Sequence, residues 1–181
     1  DVIRVNSQSG KGGIGYILEH TFGYILPSGL REELSYLCKN ISDQQHKELK
    51  VDEIHDIFKE HYFLPSPEIT IKDVHFTRNG DIVETDIVFL KNGEEFNISA
   101  DGNGSLDAVS NALKKFTGVT YTLQVYTEHS MQGKGKKSYA VSYIGITDQS
   151  GKMYWGVGTN TDIIRAGANA LLCAYHNLVK K

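Results

Sequence analysis

Several features are missing from this sequence, and each absence narrows what the protein can be. No apolar run approaches the ~18–20 residues that cross a bilayer and no signal sequence opens the chain, so we expect no membrane partner and a cytoplasmic location. The formal net charge is only −3, which gives no reason to expect a nucleic-acid partner. The 2 cysteines, Cys38 and Cys173, lie far apart, which predicts buried free thiols rather than a disulfide. The first residue is Asp1 rather than Met, which predicts a processed chain or a piece of a longer one.

Proline is also scarce, and its positions divide the chain. The 3 prolines are Pro27, Pro65 and Pro67. Because proline stops a helix and favours an extended residue before it, the pair at 65 and 67 predicts a short stiff linker. Hydrophobic residues make up 40% of the 181 residues, enough for a real core on either side. We therefore predict two units, a helical connector at 1–64 and a second domain at 67–181.

The first unit has a helical period throughout. Apolar residues three and four positions apart predict one helix at 12–22, a second that begins at Ser28 as its N-cap, and a third that begins at Asp52. No strand is expected between a short one at 2–5 and Pro65. A bundle of ~60 residues buries little surface alone, so this unit is expected to lean on a partner that the chain lacks.

The second unit changes to the alternating period of strands and then repeats itself. The predicted order is strands at 68–76, 81–90 and 95–100 with a helix at 105–116, then strands at 120–129, 138–147 and 153–157 with a helix at 162–178. At an offset of 58 the two helices align without a gap, and 108, 111, 112 and 113 fall on identical residues. The fold class is therefore α+β, with a β-β-β-α unit repeated at about 67–117 and 118–181. Two unrelated α+β hairpins are the alternative.

No motif in the chain predicts catalysis. The glycines at 10–15 fit G-x-G-x-x-G, but without a second strand of a dinucleotide fold they predict only a flexible loop before a helix. No histidine or cysteine spacing fits a metal site. Glu128 and His129 are neighbours in a strand and so point to opposite faces, which argues against an acid–base pair. We expect no catalytic residue and no cofactor in this chain.

Both helices of the second unit follow a glycine-containing stretch, at 101–105 and at 156–162. Glycines expose backbone N–H groups, and the positive end of a helix dipole suits a small anion such as a carboxylate. Tight turns capped by Ser105 and by Thr161 or Asp162 are the alternative. From the residues alone, a small-molecule-binding or dimerising module and a purely structural one are both open.

The chain resembles 2-isopropylmalate synthases of the long type. The opening run RVNSQSGKGG at 4–13, with Tyr16-Ile17 and Leu26-Pro27, is similar to the segment that follows the catalytic barrel in that family. The second unit resembles the family's leucine-regulatory domain in three motifs: Gly102-Asn103-Gly104, Tyr126 with Glu128-His129, and the run WGVG at 155–158.

This resemblance implies what is absent as well as what is present. The family condenses acetyl-CoA with 2-oxoisovalerate in a barrel that needs a divalent metal (Mg or Zn), and the barrel would precede this chain. The chain itself would be an inactive accessory subdomain and a regulatory domain, whose two repeats are related by a pseudo-twofold axis. That domain binds leucine at a homodimer interface for feedback inhibition. An isoleucine-sensitive citramalate synthase, or a dimerisation module without an amino-acid ligand, is the alternative.

The resemblance also implies the leucine-binding positions. Two glycines would present backbone to the polar end of the ligand, and side chains from a strand and both helices would form the apolar walls. The predicted site residues are Gly102, Gly104, Leu106, Leu123, Tyr126, Ser130 and Ile163. Asp107 departs from the small residue usual in the family, and we expect its carboxylate either to weaken carboxylate binding or to meet the ammonium group.

Overall fold

The structure is a computed structural model that describes residues 4–5, 11–64, 67–133, 135 and 137–180. The chain divides into two compact units, Asp1–Pro65 and Ser66–Lys181. Two residues of the predicted stiff linker, 65 and 66, lie outside the described residues. No helix in the described part of the chain is long and apolar enough to span a membrane.

The first unit is built mainly from helices, as predicted. Its elements are β1 (Arg4–Val5), α1 (Lys11–Ile17) continued by a π-helical turn (Leu18–Phe22), α2 (Ser28–Gln45), β2 (Leu49–Lys50) and α3 (Val51–Tyr62). Leu30, Leu34 and Cys38 are fully buried along one face of α2, where the helical period placed them.

Two local predictions for this unit are wrong. A second strand does precede Pro65, because β2 pairs antiparallel with β1, but two residues are too short to leave a period in the sequence. Ser28 is the first helical residue of α2 rather than its cap; the N-cap is Pro27, whose fixed φ suits the turn into the helix. At α3, Glu53 accepts a hydrogen bond from the Lys50 backbone N–H at 3.0 Å, which closes the start of that helix.

The second unit is the predicted pair of β-β-β-α units. The first contains β3 (Ile69–Asn79), β4 (Ile82–Lys91), β5 (Glu94–Gly102) and α4 (Ser105–Thr117). The other contains β6 (Thr122–Gln132), β7 (Ser138–Thr147), β8 (Met153–Asn160) and α5 (Ile163–Lys180). Each β-β-β-α repeat has its own antiparallel sheet, and the strands lie side by side in sequence order, β3-β4-β5 and β6-β7-β8. The α+β class with a repeated unit is therefore confirmed.

The two repeats agree in detail as well as in order. Both helices start at the predicted offset of 58, and their first backbone hydrogen bonds, Ala108 N–H to Gly104 O and Ala166 N–H to Asp162 O, are each 3.0 Å long. The first strand of each repeat also carries a bulge near its beginning, between 71 and 73 in β3 and between 123 and 125 in β6. A bulge inserts one residue and so reverses which side chains share a face.

One hydrophobic core joins the repeats. Helix α4 packs on β4 and β5, helix α5 packs on β7 and β8, and the helices contact each other. Ile87 and Phe89 of the first sheet meet Leu113 of α4 and Leu171 of α5 in this core, and all four are fully buried. The second unit is thus a single body in which both helices are available to form one site.

Candidate ligand-binding site

The bulge in β6 gathers three of the predicted site residues on one face of that strand. Leu123 lies opposite Ile146 and Tyr126 lies opposite Ile144. Because 144 and 146 share a face of β7, Leu123 and Tyr126 share the matching face of β6 although they are three residues apart. Ser130 lies on the same face, opposite Ala140. This face is the one that looks toward the helices, since Ile144 and Ile146 belong to the core with α5.

Both helices contribute to the space beside Tyr126. A Cβ atom placed on Gly167 of α5 would lie 3.5 Å from Leu106 Cδ1 and 3.5 Å from the Tyr126 hydroxyl oxygen. Leu106 is in the first turn of α4 and is partly buried against the core. Ile163 lies one turn before Gly167 on the same face of α5 and is 47% exposed. Leu106, Tyr126 and Gly167 therefore meet at one candidate apolar site, and Ile163 lies one helical turn away on α5.

Tyr126 brings a polar group to this site. The ring is 40% exposed, and its hydroxyl donates a hydrogen bond of 2.5 Å to Glu128 Oε2. Partial burial, and then the adjacent Glu128 carboxylate, raise the pKa of Tyr126 to about 12. The phenol is therefore protonated at neutral pH, and the site combines an apolar wall with a hydroxyl and a carboxylate.

The entrance to α4 is formed by close backbone packing. A Cβ on Gly102 would lie 2.6 Å from the Ala108 backbone nitrogen, so no other residue fits there without a shift. Asp107 accepts the Asn103 backbone N–H at 2.8 Å and so stabilises the turn into the helix. The N-cap is Gly104, with extended backbone and open space around it; the alternative of Ser105 as the cap is wrong.

The entrance to α5 differs from the entrance to α4. Gly156 and Gly158 do not line this entrance, as their proximity in sequence suggested, but lie inside β8 under α5. The residues equivalent to Gly102 and Gly104 are Asn160 and Asp162. Asp162 Oδ1 accepts the Ile164 N–H at 2.8 Å, which confirms Asp162 as a cap. The prediction of two glycine entrances is therefore wrong for the second helix.

The apolar site also has no equivalent in the other repeat. At the offset of 58, Gly167 corresponds to Val109, which is 1% exposed and part of the core. Asp107 corresponds to Arg165, whose Nη2 donates to the Ile71 carbonyl oxygen at 3.2 Å. The other repeat therefore has a buried valine and a bridging arginine where this one has Gly167 and Asp107.

Other candidate chemistry is weak in the described residues. His129 Nε2 lies 2.8 Å from the Tyr143 hydroxyl, on the opposite face of β6 from Glu128, so these neighbours form no pair. No group of three His, Cys, Asp or Glu side chains among the described residues could hold a metal ion. A polar groove lined by Glu84, Asp86 and Asp101 of the first sheet, among others, and by residues of α4 shares no residue with the apolar site.

The structure brings two of the predicted site residues, Leu106 and Tyr126, together beside Gly167, and it places Leu123 and Ser130 on the same strand face as Tyr126. Gly167 was not predicted, although a glycine inside a helix rich in alanine is a sequence signal for close packing. The second unit is thus two β-β-β-α repeats that share one core, with Leu106 and Tyr126 brought together beside Gly167.

Comparison with known proteins identifies the family. Residues 48–179 match the LeuA allosteric (dimerisation) domain, so the chain belongs to that family, and the resemblance drawn from the motifs is confirmed. The match includes α3 as well as the second unit.

The similar proteins are 2-isopropylmalate synthases. The chain is 43% identical over 180 residues to the enzyme of Desulfitobacterium hafniense, covering 99% of this chain and 32% of that protein. It is 42% identical over 187 residues to the enzyme of Helicobacter hepaticus, covering 99% of this chain and 33% of that protein. The chain thus spans about a third of the length of these relatives.

Proposed function

We propose that this chain is the regulatory region of a 2-isopropylmalate synthase and that it binds leucine for feedback inhibition. The whole enzyme would condense acetyl-CoA with 2-oxoisovalerate in a part that this chain does not include. The divalent metal of that reaction, Mg or Zn, would be held there, because the described residues offer no ligand cluster for it. Alone, the chain is proposed to be inactive and to form a homodimer, in keeping with the family's description as a dimerisation domain.

The observation that carries this proposal is the convergence of Leu106, Tyr126 and Gly167. An isobutyl side chain needs an apolar slot, and the proposed one is lined by Leu106 of α4, the exposed ring of Tyr126 and Gly167, which meet where a Cβ on Gly167 would contact both side chains at 3.5 Å. Leu123 and Ile163 extend the apolar wall, and Ser130 lies farther along the same face of β6. Filling such a slot with a leucine side chain is worth roughly 1.5–3 kcal/mol.

The polar end of leucine needs donors and an acceptor as well. The backbone around Gly102 and Gly104 leads into α4, a helix of 13 residues whose positive end favours a carboxylate. Glu128, which bonds to the Tyr126 hydroxyl, and Asp107, which follows Leu106 in α4, are the candidates for the ammonium group. Asp107 already accepts one backbone N–H, which leaves one of its oxygens for a ligand.

The asymmetry of the repeats predicts one leucine per chain. Val109 and Arg165 occupy the equivalent positions in the other repeat, so we expect no second site of the same affinity. Leucine and isoleucine differ only in the position of one methyl group, and discrimination of that size is worth ~1–3 kcal/mol. An isoleucine-regulated citramalate synthase is therefore the second candidate within this class.

Calorimetry with leucine and isoleucine tests the proposal. We expect heat from leucine at a stoichiometry of one per chain, and loss of that heat in Gly167→Val, whose methyl groups would reach Leu106 and Tyr126. Gly13→Ala, in α1 of the other unit with open space around it, is the control and should bind as the wild type does. Tighter binding of isoleucine would favour the second candidate. Neither heat nor a thermal shift with either amino acid would reject amino-acid sensing.

Activity and assembly have their own tests. The chain alone should release no CoA from acetyl-CoA and 2-oxoisovalerate, and measurable release would show that the catalytic residues have been misplaced. Light scattering at high protein concentration should give the mass of a dimer. A monomer in the presence of leucine would contradict the proposed homodimer.

A further inference from the structure

A buried histidine outside the proposed ligand site uses both of its ring nitrogens. His176 of α5 is 7% exposed. Its Nδ1 lies 2.6 Å from the Leu172 carbonyl oxygen, and its Nε2 accepts the Ile69 backbone N–H at 2.9 Å. A carbonyl can only accept and an amide N–H can only donate, so Nδ1 must carry the proton and Nε2 must offer its lone pair. The two bonds therefore require the neutral ring.

These contacts join the two repeats. Ile69 is the first residue of β3, an edge strand of the first sheet, while His176 belongs to the helix of the second repeat. Arg165 of the same helix donates to the carbonyl oxygen of Ile71, two residues farther along β3. Side chains of α5 thus satisfy backbone groups at the start of an edge strand whose residues lie in the shared core.

The charges around the ring are few. Glu68, which also lies 3.7 Å from Lys91 in an ion pair, favours the charged ring, but burial has the larger effect and lowers the pKa of His176. Strands β7 and β8, which pack on α5, contain no Asp, Glu, Lys or Arg. The Tyr175 ring lies edge-on at 5.4 Å.

The charged groups of the other neighbours of α5 have contacts elsewhere, except Arg78, which lies at the opposite end of β3 from Ile69. On α4, Asp107 bonds to Asn103, Lys114 lies over the Tyr121 ring, and Lys115 bonds to the Ser99 carbonyl oxygen. On β3, Lys72 pairs with Glu95, and Asp73 with His75. None of these contacts involves the His176 ring.

We propose that His176 is a pH-sensitive strap that holds the start of β3 on α5 when neutral and releases it when protonated. Protonation places an N–H on Nε2 directly opposite the Ile69 N–H, so two donors face each other and the bond between the repeats is lost. The remaining bond to Leu172 lies within α5 and does not join the repeats. The strap therefore opens on acidification, independently of any amino-acid ligand.

The direction of the pH effect follows from the lowered pKa. The unfolded chain takes up a proton near the ordinary histidine pKa of about 6.5, whereas the folded chain resists protonation to a lower pH. The stability that the neutral His176 ring contributes is therefore fully present above pH ~6.5. It declines as the pH falls from there toward the pKa of the ring in the folded chain. Opening at Ile69 exposes the ring to protonation, so it should become more frequent as the pH falls below ~6.5.

Nuclear magnetic resonance of the intact chain gives the first test. At pH 7.5 we expect the ring ¹⁵N shifts of a neutral His176 with the proton on Nδ1, and a protected Ile69 amide. At pH 5.5, after correction for intrinsic exchange, Ile69 should exchange several times faster, up to the roughly tenfold limit for a released ring with a pKa of about 6.5. A proton on Nε2 at pH 7.5, or unchanged Ile69 protection over this range, would overturn the strap.

Two variants distinguish release of Ile69 by protonation of His176 from a general loss of stability in acid. His176→Gln places a non-titrating acceptor near the Nε2 position and should keep Ile69 protected at both pH values. His75→Gln, at an exposed ring paired with Asp73, is the control and should retain the wild-type pH response. The same pH response in His176→Gln as in wild type would refute the proposal. If His176→Gln does not fold, the wild-type ring and amide measurements decide alone.

Discussion

Gly156 and Gly158 of β8 allow α5 to pack closely on the second sheet. Replacing one of them tests this close packing directly. A Cβ at Gly158 would lie 2.3 Å from the Ala166 carbonyl oxygen and 2.4 Å from the Ala170 backbone nitrogen. At Gly156 the corresponding distances are 2.2 Å to the Ala170 oxygen and 2.3 Å to the Ala174 nitrogen. Favourable contacts between such atoms lie near ~3.5–4.0 Å, so Gly158→Ala must push the backbone of α5 away by about 1 Å.

The expected loss of stability follows from two opposing effects. Overpacking a well-ordered site costs ~1–3 kcal/mol, and the upper end applies because both clashing atoms belong to a helix backbone and cannot rotate away. Alanine lowers the entropy of the unfolded chain, which returns ~0.4–1 kcal/mol. We therefore expect Gly158→Ala to lower the free energy of unfolding by about 2–3 kcal/mol. The double variant with Gly156→Ala should lose less than the sum, because both act on the same helix.

Urea denaturation followed by tryptophan fluorescence measures this change. The single tryptophan, Trp155, is 3% exposed and lies in β8 beside both glycines, so it reports on the unit that is perturbed. Protein concentration must be fixed, because dimer formation would shift the apparent stability. Gly167→Ala is the matched control: its Cβ meets only contacts of 3.5 Å or more, and the gain in helix propensity should stabilise the fold by up to ~1 kcal/mol. A Gly158→Ala protein within 0.5 kcal/mol of wild type would refute the close packing of α5 on β8.

Three further predictions follow from other parts of the structure. Burial raises the pKa of both Cys38 and Cys173 to about 12, so neither thiol should react with iodoacetamide in the folded protein at pH 8, and mass spectrometry should find both alkylated only in denaturant. Phe89→Ala removes a fully buried ring stacked on Phe116 and should cost ~3–5 kcal/mol in urea denaturation; a loss below 1 kcal/mol would contradict the shared core. Asp107→Ala removes the acceptor of an exposed backbone N–H and should lower the thermal midpoint by a few degrees, equivalent to ~1 kcal/mol, whereas an unchanged midpoint would show that this bond adds nothing.

The sequence pattern predicted the elements well where each side of an element has a distinct environment. Strand β4, along which buried and exposed residues alternate, occupies Ile82–Lys91 against a predicted 81–90, and α4 and α5 begin within one residue of their predicted positions. The offset of 58 between the helices also holds. Burial on one side of a strand or helix makes apolar residues recur with the period of that element. A repeated unit shows the same pattern twice, so the element and the repeat can both be predicted from the sequence.

Backbone irregularities were not predictable in the same way. The extra residue in β6 places Leu123 and Tyr126 on one face, whereas an unbroken alternation would have separated them. A bulge is stabilised by the pairing strand, and no single residue type marks it. The same holds for β2, whose two residues form a strand only because β1 lies beside them.

The candidate site shows this division between sequence and tertiary structure. Most of its predicted residues came from motifs, but Gly167 entered only when the structure placed it between Leu106 and Tyr126. Gly156 and Gly158, adjacent in sequence to a helix entrance, turned out to serve the packing of α5 on β8. A motif shows which residues are small or polar, and only the packed chain shows which backbone or side chain they face.

The sequence by itself determined the α+β class, the repeated β-β-β-α unit, the two buried thiols and the family, because periods, composition and motifs are properties of the chain read in order. Tertiary structure decided which side chains meet beside Gly167 and how the repeats are joined. Leu106 and Tyr126 come together at Gly167, and His176 reaches the start of a strand 107 residues away in sequence. Both depend on contacts between distant residues, which only the folded chain brings within bonding distance.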